Sequence, residues 1–160
     1  MTEETILVLD KDKNITWTLR TLLESENYRV VVVDTIDRAT KDFSELQVSA
    51  FITEYRIENV RTLETIRKLK GMFPEAYVMM VTDKDMKELE YEKAIEAGVD
   101  DFFLKPMPTR KILLHLRKGL KYRRLLIEKA RIEREMAALY PGRGGENISR
   151  SKDTFPIVSG

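Results

Sequence analysis

The chain contains no cysteine among its 160 residues, which excludes disulfides, thiolate metal sites and a cysteine nucleophile. It has one histidine, His115, alone on a helix, and no Ser/His pairing for nucleophilic catalysis. No apolar stretch approaches the roughly 20 residues that span a membrane. The start, Met1-Thr2-Glu3-Glu4, is acidic and lacks the basic residues and apolar run of a signal peptide. A soluble cytoplasmic protein without a membrane partner is expected. The turn Asp10-Lys11-Asp12-Lys13-Asn14 holds no glycine, so it cannot cradle phosphates as a dinucleotide or P-loop fingerprint does. Trp17, the only tryptophan, has no partner motif for base stacking and should pack on, or rim, the first helix. No enzyme is expected.

Apolar residues make up 42% of the chain, enough for one domain with a real core plus an appendage. The net charge of +1 hides an asymmetry. Residues 1–105 carry 15 Lys/Arg against 22 Asp/Glu, and residues 106–160 carry 13 against 5. A basic rear can meet nucleic acid or an acidic partner. A solvated Lys/Arg helix face explains it more simply, so direct nucleic-acid binding is not expected.

Short apolar runs alternate with amphipathic ones. Strands are expected over Thr5–Asp10, Tyr28–Val33, Ser49–Thr53, Ala76–Val81 and Asp101–Leu104. Helices are expected over Lys13–Glu26, from Asp34 or Thr35 to about Leu46, over Val60–Phe73 and Met86–Ala97, and from about Pro108 onward. Gly98 suits a left-handed cap. Near-continuous apolar strands between amphipathic helices give a doubly wound α/β fold with a five-stranded parallel sheet.

In such a sheet the carboxyl ends of the strands share one edge, where open α/β folds bind and react. Asp10, Glu54, Thr82 and Lys105 follow or end four of the apolar runs, so two acids, a hydroxyl and an ammonium should converge there.

Past Leu120 a new stripe appears: Tyr122, Leu125, Lys129, Ile132, Met136 and Leu139, spaced by three and four. This reads as a coiled-coil seam with Lys129 as a polar member that sets register, and as a homodimer contact. The expected organisation is a domain over 1–120, a helical extension over 121–140 and a linker over 141–160, begun by Pro-Gly-Arg-Gly-Gly.

The segments Ile6-Leu7-Val8-Leu9-Asp10-Lys11-Asp12 and Ala97-Gly98-Val99-Asp100-Asp101-Phe102-Phe103-Leu104-Lys105-Pro106 resemble the receiver domain of two-component response regulators, and the resemblance covers about residues 4–120. It implies the flavodoxin-like strand order 2-1-3-4-5 and a cis Lys105–Pro106 bond. By position, Glu54 is equivalent to the phosphoacceptor. Asp10, Lys11 and Asp12 form the acidic pocket, Thr82 is the signalling hydroxyl, Phe102 the switch aromatic and Lys105 the phosphate-binding lysine. The run Phe155-Pro156-Ile157-Val158-Ser159-Gly160 is similar to the entry of the AAA+ domain of enhancer-binding activators, as at the front of a longer regulator.

The departures matter. Glu54 stands where the family has aspartate, Lys11 replaces a metal-binding acid, and Ile57-Glu58 with Thr62 replaces the usual Met-Pro and glycine. Mg²⁺ wants octahedral oxygen ligands, and a lysine supplies none. One extra methylene moves the Glu54 carboxylate by about an ångström, and misplacement on that scale costs on the order of 100-fold in rate. A direct contact from Lys11 or Lys105 to Glu54 is permitted instead. The resemblance implies signalling-protein partners, a histidine kinase among them. Two readings stay open. One is a divergent receiver acting by protein contact without a cofactor. The other is a phosphorylation-competent receiver that uses Mg²⁺ and controls an output domain beyond Gly160.

Overall fold

In the computed structural model, which describes residues 3–142, the chain runs Thr5–Leu9 (β1), Lys13–Ser25 (α1), Arg29–Val33 (β2), Ile36–Glu45 (α2), Ala50–Thr53 (β3), Arg56–Ile57 (β4), Val60–Arg61 (β5), Leu63–Met72 (α3), Tyr77–Thr82 (β6), Glu88–Ala97 (α4), Asp101–Leu104 (β7) and Thr109–Leu139 (α5). Five strands pair in parallel in the order β2-β1-β3-β6-β7. With the β4–β5 hairpin set aside, this is the order 2-1-3-4-5. Leu9 lies beside Thr53, Thr53 beside Met80, and Thr82 beside Leu104, which aligns the carboxyl ends.

Alternation along the strands divides the core in two. Ile6, Val8, Ala50, Ile52 and Met79 pack with Leu19 and Leu23 of α1 and Leu116 and Leu120 of α5. Leu7, Leu9, Phe51, Val78 and Met80 pack with Phe43 of α2, Ile66 and Leu69 of α3 and Ala94 of α4. The helix ends follow from local chemistry. Asp12 caps α1 by accepting from the Asn14 and Ile15 N–H groups, and Thr35 caps α2 by accepting from Arg38 N. Gly98, at φ 120°, closes α4.

One element differs from the sequence pattern. The helix expected over Val60–Phe73 begins only at Leu63, and Arg56–Arg61 form an antiparallel hairpin, Arg56 opposite Arg61 and Ile57 opposite Val60. Its two-residue loop, Glu58 (φ 50°) and Asn59 (φ 64°), has the paired positive φ of a type I′ turn. Val60 sits at helical spacing from Leu63 yet is exposed, so periodicity alone misassigns it.

Residues through Arg123 make one compact unit, and the chain from Arg124 makes a second. In the second unit Leu125, Ile132, Met136 and Leu139 are exposed on α5. Ion pairs decorate the same helix: Lys129 with Glu133 at 3.9 Å, and Arg131 with both Glu128 and Glu135. Tyr122, the remaining apolar member of the stripe, is exposed at the end of the first unit. No helix among the described residues is long and apolar enough to cross a membrane. The linker expected from residue 143 and the run Phe155–Gly160 lie outside the described residues.

Candidate functional site

Four strand ends deliver the cluster. Asp10 follows β1, Glu54 follows β3, Thr82 ends β6 and Lys105 follows β7. The Lys105–Pro106 peptide is cis. Lys105 Nζ donates to Asp10 Oδ2 at 2.7 Å and to Glu54 Oε2 at 2.8 Å, so one ammonium bridges two carboxylates. All three side chains are nearly buried. Burial alone would lower the lysine's pKa. Hydrogen bonds from the ammonium to Asp10 and Glu54, and then their negative charges, outweigh burial and raise it above its ordinary value.

The remaining carboxylate oxygens are also engaged. Glu54 Oε1 accepts from the Tyr55 N–H at 2.9 Å, and Asp10 Oδ1 accepts from the Asp12 N–H at 2.9 Å. Asp12 spends its Oδ1 on the α1 cap. The backbone behind Glu54 is fixed by Thr62, fully buried, whose hydroxyl donates to the Glu54 carbonyl at 2.8 Å and to that of Tyr55 at 3.2 Å. The sequence marks Thr62 only as a glycine replacement, and with the helix expected from Val60 nothing in the pattern signals that it braces the Glu54 backbone.

Lys11 does not reach Glu54. It pairs with Glu58 at the hairpin tip. Thr82 is buried at its strand end, where its Oγ1 accepts from Lys84 N at 3.4 Å. It caps no helix, since α4 starts only at Glu88. Phe102 is half-buried and meets Tyr91 edge-to-face at 5.1 Å. His115 meets Phe103 with the rings tilted at 60° and their centroids 4.6 Å apart. Trp17 is exposed on α1 and does not line the site.

Asp10, Lys11, Asp12, Glu54, Thr82 and Lys105 line a cleft of about 790 Å³ whose walls include Ile15, Ile57, Val81 and Met107. The donor set does not fit Mg²⁺, which needs several free, hard oxygens in octahedral array. Asp10 and Glu54 each give one oxygen to Lys105 and the other to a backbone N–H, Asp12 is turned to its helix, and Lys11 brings an ammonium in place of an oxygen ligand. No group of three acidic or imidazole ligands stands together among the described residues.

A model of the response regulator receiver domain matches residues 6–117. The chain is 26% identical over 119 residues to the transcriptional regulatory protein ResD of Bacillus subtilis, covering 74% of this chain and 49% of ResD. It is 27% identical over 120 residues to the transcriptional regulatory protein ZraR of Klebsiella oxytoca, covering 75% and 27%. The chain thus spans half or less of the length of these relatives. Among solved structures, a CheY-like receiver domain protein from Methanospirillum hungatei superposes with a TM-score of 0.72 at 20% identity, over 77% of this chain and 98% of that one. The beryllofluoride-activated NtrC4 receiver domain dimer gives 0.68 at 24%, over 74% and 98%. These likenesses show a shared fold. With the family model spanning both core faces and all four strand ends of the site, the chain belongs to the response regulator receiver domain family.

Proposed function

We propose that this domain is a divergent receiver that signals through protein contact, with phosphorylation at the third-strand position weakened or absent. The observation that carries this reading is the state of Glu54: one carboxylate oxygen is held by Lys105 and the other by the Tyr55 N–H. Both oxygens of this nucleophile are held in place by those hydrogen bonds, which lowers their reactivity, and its extra methylene displaces them. The domain binds no Mg²⁺ on this reading. Its partners are cytoplasmic signalling proteins, a histidine kinase among them, and a second copy of the chain through the α5 stripe.

The retained Thr82 and Lys105 favour a second reading, a phosphorylation-competent receiver. The naming of ResD and ZraR as transcriptional regulatory proteins points to an output beyond Gly160. Calorimetric titration with Mg²⁺ separates the two. The first expects no saturable heat at millimolar concentrations, and saturable binding that Asp10→Ala removes would overturn the first. Trp17 fluorescence is a poor reporter here, because that side chain stands off the cleft.

A further inference from the structure

Lys11 lies in the loop between β1 and α1, and Glu58 lies 47 residues later at the tip of the β4–β5 hairpin. Their ion pair joins two loops that nothing covalent holds together. The hairpin is only two residue pairs long. Its base is anchored by Tyr55, Ile57 and Thr62, all buried, whereas its tip, Glu58-Asn59-Val60, is exposed. Glu58 also adopts φ 50°, a backbone region that glycine or asparagine enters more readily than glutamate. The tip is therefore short, strained and free of core contacts. Lys11 and Glu58 both line the cleft above Asp10 and Glu54.

We infer that Lys11 and Glu58 form a latch that fastens the hairpin tip to the β1–α1 loop and closes one side of the acid cleft. The pair ties these two loops as a bridging cation would, with the cation supplied by the chain itself. The latch stands whether or not Glu54 accepts a phosphoryl group. It is weak by construction: the two side chains are 46% and 66% exposed. Exposed pairs of this kind change an equilibrium by about two- to five-fold, and salt screens them.

Amide hydrogen exchange of the full chain, read by NMR at Ile57 and Val60, tests the latch. Lys11→Gln and Glu58→Gln should each speed exchange there about two- to five-fold, and the double variant no further. Lys11→Gln leaves the turn residues untouched, so its effect cannot come from relieving or adding turn strain. The reversed pair Lys11→Glu/Glu58→Lys should recover most of the protection. In the unaltered chain, 1 M salt should mimic the single variants, which should themselves be insensitive to it. Ile52, in the central sheet, serves as the control and should not respond. Additive single effects, a reversed pair no better protected than the singles, or exchange indifferent to both charge and salt would each overturn the latch.

Discussion

Lys105 Nζ lies 2.8 Å from Glu54 Oε2, although 51 residues separate the two in sequence. With Asp10 on its other side, the ammonium holds its proton more tightly in the folded chain than in the unfolded one. Tyr77 behaves similarly at the other end of the sheet. Burial, the hydrogen bond its hydroxyl donates to Asp101, and the charges of Asp101 and Asp100 raise its pKa well above the ordinary phenol value.

Both shifts have the same sign for stability. A group whose folded pKa is raised contributes fully below its unfolded pKa, about 10 for tyrosine and 10.4 for lysine, and loses that contribution as pH climbs toward the folded value. Neither group should make stability vary near neutral pH, and both should lower it above about pH 10. Urea midpoints across pH 8–12 check this. Tyr77→Phe should start lower by about 1 kcal/mol for the lost hydrogen bond, and should then fall less steeply than the unaltered chain. Parallel slopes would contradict the assignment.

Two glycines should respond oppositely to the same change. A Cβ on Gly119 would come within 2.4 Å of the Tyr77 ring, which is buried and tied to Asp101, whereas a Cβ on Gly71 meets nothing within 4 Å. Helix propensity favours alanine at both by up to about 1 kcal/mol. At Gly119, overpacking of about 1–3 kcal/mol outweighs it. Gly71→Ala should raise the melting temperature and Gly119→Ala should lower it.

The five parallel strands and most helix ends were legible in the sequence, because buried strands and amphipathic helices write their periods directly. Asp10, Glu54 and Lys105 were legible as a cluster for the same reason, each standing at the end of an apolar run. The hairpin was not. Its strands are two residues long, its turn uses glutamate where glycine or asparagine would have announced it, and Val60 falls in phase with Leu63 and Ile66 of α3. The partner of Lys11 was hidden with it, since Glu58 reaches Lys11 only because the chain turns back there.

The α5 stripe should mediate self-association. Leu125, Ile132, Met136 and Leu139 are exposed at coiled-coil spacing, an arrangement that soluble monomers tend to avoid. The full chain should show concentration-dependent dimerisation by light scattering, with dissociation in the micromolar range or weaker. A version cut after Leu120 should stay monomeric. Lys129→Leu should tighten the dimer by removing the charged layer of the seam. Equal monomer masses for both lengths would reject the pairing, as would a dimer that survives the cut.

Phosphoryl uptake is the most direct discriminator. Incubated with acetyl phosphate and Mg²⁺ and weighed intact, the chain should keep its mass, while Glu54→Asp combined with Lys11→Asp should gain part of the mass of one phosphoryl group per chain. A stoichiometric phosphoryl adduct on the unaltered chain, mapped to Glu54 or Asp12, would contradict a receiver that signals by contact alone.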